Sequence, residues 1–131
     1  MERMAVNPVT RSQALGFNQG EVVLGQTRTL FISGQTAMSK DGRPEHDGDV
    51  AAQLALAVAN LEAVLAAAGM ALANLVRLNV YTTDVDALFP HYGLLAEKLR
   101  AAGVAPTTTM LGVTRLAIPG QMVELEGTAL A

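Results

Sequence analysis

The run Met122-Val123-Glu124-Leu125-Glu126-Gly127-Thr128-Ala129 alternates so strictly that it reads as a strand. Val123, Leu125, Gly127 and Ala129 share one parity; Met122, Glu124, Glu126 and Thr128 share the other. Alternate side chains leave a strand on opposite faces, so both carboxylates project from one face, roughly 6.5–7 Å apart. Upstream, Pro106-Thr107-Thr108-Thr109-Met110-Leu111-Gly112-Val113 is rich in β-branched residues and reads as a second strand. Two glutamates on an otherwise apolar strand carry a cost unless water, a partner or a ligand meets them. Whatever this chain folds into has to bury one side of that strand and satisfy the other.

Taken in order, residues 1–13 are expected to be loosely structured. Ala14–Gly20 and Glu21–Gly25 read as short strands punctuated by glycine, and Thr29–Gln35 as a stronger strand. Asp41-Gly42 and Pro44 mark a loop that runs to about Gly48. Asp47 or Asp49 can cap a helix running to about Ala68, in which Leu54, Val58, Leu61 and Leu65 make one buried stripe. Gly69 suits its left-handed stop. In Leu75–Thr82, Val76, Leu78 and Val80 are expected to face inward and Arg77, Asn79 and Tyr81 outward. Thr83 or Asp84 opens a second helical segment, firm from Pro90 to about Ala101 and closed by Gly103.

Strands, long helix, strand, second helix and two strands predict one α+β domain over residues 1–131, with both helices on the apolar face of one sheet. The other face would carry Arg77, Asn79, Tyr81, Thr108, Glu124 and Glu126 with Met110 and Met122. That mixture suits closure by further copies of the chain, with pockets between them.

The balance of charge narrows the function. The net charge of −3 and the scarcity of aromatics disfavour nucleic acid as a partner. No cysteine is present, so disulfides and thiol chemistry are excluded, and a reducing compartment, by default the cytoplasm, is expected. Met1–Pro8 lacks the apolar run of a signal peptide, so none is expected there. The apolar stretch Ala51–Val76 is interrupted by Gln53, Asn60, Glu62, Gly69 and Asn74, so a core helix rather than a membrane span is expected. His46 and His91 lack ligand spacing, so no metal is expected. Glu124 is the best catalytic candidate by spacing, a carboxylate able to hold a water and move a proton. The alternative is that Glu124 and Glu126 pair with Arg77, Arg115 or a neighbouring subunit.

Several blocks now line up. Leu30-Phe31-Ile32-Ser33-Gly34-Gln35, Gln53, Asn60-Leu61, Ala67-Ala68-Gly69-Met70, the run Val76–Asp84, Pro106 and Val123-Glu124-Leu125-Glu126-Gly127 succeed one another. In that order and spacing, residues 14–130 resemble the Rid family of reactive-intermediate deaminases. These are also called YjgF/YER057c/UK114 proteins and labelled in places endoribonuclease L-PSP or translation inhibitor. The resemblance implies a chorismate-mutase-like fold with one mixed sheet and two helices on one face. It implies a homotrimer with a central barrel and a small-molecule pocket at each subunit interface. Active members hydrolyse 2-imino or 2-amino-enoic acids to 2-keto acids and ammonia without a cofactor.

By the same resemblance, Glu124 matches the glutamate that positions the attacking water. Phe17 matches a pocket aromatic that is usually tyrosine, and Phe31, Ser33 and Gly34 match strand-end positions beside it. Tyr81 retains pocket character, and Met110 falls where many members have a small residue or cysteine. The departure is Thr108: the family's Pro-Ala-Arg-Ser block reads Pro106-Thr107-Thr108-Thr109 here. A hydroxyl has neither the fork nor the permanent charge with which that arginine grips a substrate carboxylate. The loss is worth a few kcal/mol, hence on the order of a hundredfold in binding. Arg115 has the opposite parity to Thr108 and is a poor replacement. Tyr92, Leu95 and Pro90 depart from the family's Asn-x-x-Tyr segment. The expectation is a deaminase-like hydrolase of altered specificity. A non-catalytic metabolite-binding trimer is the alternative, and an endoribonuclease is disfavoured by the acidic charge and the absence of a histidine pair.

Overall fold

The computed structural model describes residues 1–131. In order the elements are β1 (Glu2–Val6), α1 (Arg11–Ala14), β2 (Gly20–Leu24), β3 (Thr29–Gln35), α2 (Val50–Ala67), β4 (Leu75–Thr82), α3 (Val85–Leu88), α4 (Gly93–Ala101), β5 (Thr107–Gly112) and β6 (Val123–Leu130). The main sheet has strand order β3-β6-β4-β5, antiparallel except for the parallel pair β4–β5. This is the expected mixed α+β arrangement.

α2 sets the layering. Asp49 caps it by accepting from the Ala52 N–H at 3.0 Å, and Gly69 at φ +71° turns the chain out of it. Leu54, Val58, Leu61 and Leu65 are fully buried against β6 and β3. α2 is long and apolar enough to span a membrane by length and composition, and that stripe is instead part of the protein's core. α4 packs beside it through Leu95 and Leu99. From the sheet, Leu78, Val80, Val123, Leu125 and Ala129 complete the core.

Four expectations are corrected. Residues 1–13 are ordered: β1 pairs antiparallel with β2, from Glu2 opposite Leu24 to Val6 opposite Gly20. Arg3 ties this ribbon to the main sheet, donating to the Glu21 carboxylate and to the carbonyls of Ala73 and Leu75. The expected strand at Ala14–Gly20 is the end of α1 followed by a turn through Gly16 at φ +86°. In β4, Leu75 rather than Val76 reaches the core, because the pairing with β6 shifts between Leu75 and Arg77.

The fourth correction bears on function. β5 pairs with β4 in the register Leu78↔Thr108 and Val80↔Met110, with Arg77↔Thr107 and Asn79↔Thr109 alternating between them. Thr108 and Met110 therefore lie on the helix-covered face with Leu78 and Val80, not on the face that carries Glu124. Alternation within β5 defines two sets of side chains, and only the register with β4 decides which set faces which way.

Candidate functional site

Two groups of polar and aromatic side chains are built on different parts of the sheet. The first is a row on its uncovered face, where β4 and β6 run side by side. Glu126 Oε1 accepts from Asn79 Nδ2 at 3.0 Å and from the Tyr81 hydroxyl. Arg77 Nη2 donates to Thr109 Oγ1 at 2.7 Å, so neither glutamate is paired with an arginine. Accepting from Tyr81, Glu126 holds the phenol above its usual range. Partial burial and the charge of Glu126 push the same way; Arg77 opposes them, and Glu124 adds a little.

Glu124 stands directly across from Tyr81, half-buried, and takes no hydrogen bond from the chain. Its carboxylate rests against the backbone of Gly34. A Cβ there would lie 2.6 Å from Glu124 Cδ and 3.0 Å from Cγ, so a glycine is needed for this approach. The β3–β6 pairing slips between Ile32 and Gln35, which puts Ser33 and Gly34 in an irregular segment beside the carboxylate. Phe31 is 79% exposed on this face and rims a 240 Å³ depression with Asn79, Glu126 and Thr128.

The second group encloses a 190 Å³ cavity at the β5 edge, lined by Leu15, Phe17, Phe89, Tyr92, Thr108 and Met110. The turn after α1 delivers Phe17, whose position is held by Asn18 N–H donating to the Ala105 carbonyl at 3.1 Å. Thr108 Oγ1 donates to the Pro106 carbonyl at 2.8 Å. Tyr92 makes no side-chain hydrogen bond, and burial pushes its phenol pKa up. No charged side chain lines this cavity.

The expected site residues thus divide. Phe31, Ser33, Gly34, Tyr81 and Glu124 belong to the uncovered face; Phe17, Thr108 and Met110 belong to the cavity. β6 lies two strands in from β5, roughly 9–10 Å at ordinary strand spacing, and Glu124 and Thr108 point to opposite faces. Arg115 joins neither group. It lines a separate 580 Å³ cleft with Asp47, Thr83, Gln121 and Met122. Nowhere do three or more His, Cys, Asp or Glu side chains gather as metal ligands would. Leu15, Phe89 and Tyr92 are the cavity residues that sequence reasoning missed. Their signal was weak: Phe89-Pro90 opens a helical turn, which places Tyr92 one turn further on.

Comparison with known proteins bears directly on this arrangement. Residues 11–131 match the family model described as Endoribonuclease L-PSP. The chain is 32% identical over 117 residues to the RutC family protein YjgH of Escherichia coli (strain K12), covering 89% of this chain and 88% of that one. Its fold is similar to the crystal structure of YyfB, a Rid-family protein of Yersinia pestis. There the TM-score is 0.89 and the identity 31%, with both chains covered in full. It is also similar to the YjgF gene product of E. coli, with TM-score 0.69 and 26% identity over 87% of each chain.

Proposed function

Since the chain belongs to the Endoribonuclease L-PSP family, the Rid or YjgF/YER057c/UK114 proteins, we propose that it acts on a small molecule as a cofactor-independent hydrolase of C=N bonds. The observation that carries this reading is the contrast between the two glutamates. Oε1 of Glu126 is committed to Asn79 and Tyr81, whereas Glu124 is left without a partner on an uncovered face. A carboxylate so placed can hold a water. As that water attacks the carbon of an imine, Glu124 takes one of its protons and passes it to the nitrogen, giving a carbinolamine. The proton of the new hydroxyl then moves to the nitrogen by the same carboxylate, the C–N bond breaks, ammonia leaves and a carbonyl remains. An enamine enters the same route as its imine tautomer.

Recognition falls to the other group. Glu124 and Thr108 stand on different strands and opposite faces of one sheet, so a cleft containing both takes two copies of the chain. One copy contributes Glu124, Ser33, Gly34 and Phe31, the other Phe17, Thr108 and Met110. Such a head-to-tail contact closes into a ring, and the reading is a homotrimer with the uncovered faces inside. Light scattering is expected to give the mass of three chains, and a fully active monomer would remove this part of the proposal.

Thr108 redirects specificity. Its hydroxyl is bonded to its own backbone, and the cavity holds no cation to grip a carboxylate. Generic 2-iminopropionate is expected to be a poor substrate, and an imine without a carboxylate a better one. The test generates imines by amino-acid or amine oxidation and follows the competition between hydrolysis and chemical trapping. Glu124→Gln is expected to lower the rate about 10²–10⁴-fold. Brisk turnover of 2-iminopropionate that vanishes in Glu124→Gln would overturn the altered specificity. The same missing cation supports a second reading, a trimer that binds a metabolite without turning it over. It prevails if ligands recovered from the protein are always unchanged. RNA cleavage draws no support from a chain of net charge −3 without paired histidines.

A further inference from the structure

The cavity at the β5 edge defines the chemistry of what it holds more narrowly than the family does. We propose that it receives an uncharged group of about the size of one aromatic ring, carrying an oxygen that accepts a hydrogen bond from the Tyr92 hydroxyl. This rests on the hydrolase reading only for the ligand's later fate; binding itself does not depend on it.

Size comes first. An apolar cavity of about 150 Å³ stays dry and accepts benzene; this one measures 190 Å³. Charge comes second. Five of its six lining residues are apolar, and the sixth, Thr108, has already given its proton to the Pro106 carbonyl. A carboxylate entering here would lose its water and meet no cation. Hydrogen bonding comes third. Tyr92 is half-buried in the wall, and its hydroxyl has no partner in the chain. At neutral pH it is a phenol and a donor, as an ordinary tyrosine is, and burial pushes its pKa further up. A carbonyl or amide oxygen gives that donor a partner within the ligand; a plain hydrocarbon leaves it to water. The mouth is apolar too: Leu15 and Phe89, both on the cavity wall, are 63% and 62% exposed in the single chain. Met110 can change rotamer to fit ring substituents.

The test titrates the full-length protein with benzamide, benzoate and toluene, by calorimetry or ligand-detected NMR. Benzamide is expected to bind at least tenfold more tightly than benzoate at neutral pH. Tyr92→Phe should weaken benzamide about fivefold and leave toluene unchanged. Thr108→Arg should reverse the order of benzamide and benzoate. The proposal fails if benzoate binds wild type as well as benzamide does. It also fails if a Tyr92→Phe protein that melts normally binds benzamide undiminished, or if none of the three probes binds saturably. Should the expected order hold in a protein that hydrolyses no imine, the hydrolase reading falls and this one stands.

Discussion

The row of side chains on the uncovered face and the cavity at the β5 edge solve opposite problems with the same sheet. In the row, polar groups hold one another: Asn79 and Tyr81 converge on Glu126, Arg77 reaches Thr109, and Glu124 alone is left over. In the cavity, Thr108 is satisfied by its own backbone, and Tyr92 is the unpartnered donor among apolar neighbours. The lesson is a division of labour. The group suited to moving a proton sits on an inner strand, fixed from both sides. The groups that decide what fits, in the proposed function, sit at an edge strand, a turn and a helix start. Under the proposed function, substitution at the edge changes the ligand without disturbing the strand that carries Glu124.

The comparison is most exposed to test at Gly34. The atoms that a Cβ there would displace are the flexible end of Glu124, so Gly34→Ala should scarcely alter the melting temperature. It should move the carboxylate by a distance that matters for attack, and misplacement of about 1 Å can lower a rate about 10²-fold. Turnover is expected to fall by about that factor while benzamide affinity stays at the wild-type value. A Gly34→Ala protein with full activity would show that the row is not organised around this close approach. Loss of cavity binding in the same variant would show that the two regions are not separate.

A smaller effect asks whether the two regions also fold separately. Asp49 caps α2, which packs on β6 and β3 and also touches α3 and α4, while none of its own residues lines the cavity. Asp49→Ala should remove about 1 kcal/mol of stability. If the chain is one cooperative unit, the most protected amides of β6 and β5 should exchange faster by the same factor, about fivefold. Faster exchange confined to β6 and β3 would mean that the division between chemistry and recognition is a division of stability as well.

How much of this could be read beforehand follows the same boundary. α2 was legible because Leu54, Val58, Leu61 and Leu65 report its period and Asp49 and Gly69 its ends. β3 and β4 were legible to the residue. β1 was not, since the ribbon depends on Arg3 reaching carbonyls seventy residues or more away in the chain. Alternation showed that Thr108 and Met110 share a face but not which face, because phase is set by pairing with β4. Parity likewise put Glu124 and Glu126 together, whereas what separates them lies across the sheet, in Asn79 and Tyr81 on one side and Gly34 on the other. Tyr92 joined the cavity only through tertiary packing, which no local pattern announces.

The smallest effect is the most direct, because each region contains one of the chain's two tyrosines. Both phenols are held above the usual value, for different reasons: Tyr81 first by its bond to Glu126, Tyr92 by burial alone. A raised phenol pKa means that the fold favours the neutral form. The stability this contributes is complete below the unfolded pKa of about 10 and is lost as pH rises through the folded value. Glu126→Gln removes the charge that holds Tyr81's proton, so Tyr81 should ionise at lower pH, and its share of stability should fade earlier on the alkaline side. Tyr92 should titrate as before. Benzamide should do the converse, shifting the Tyr92 ring resonances and leaving the Tyr81 titration in place. NMR of the two rings across alkaline pH reads both at once. If Glu126→Gln moves Tyr92 as far as Tyr81, the row and the cavity share one electrostatic environment, and their separation is only one of distance.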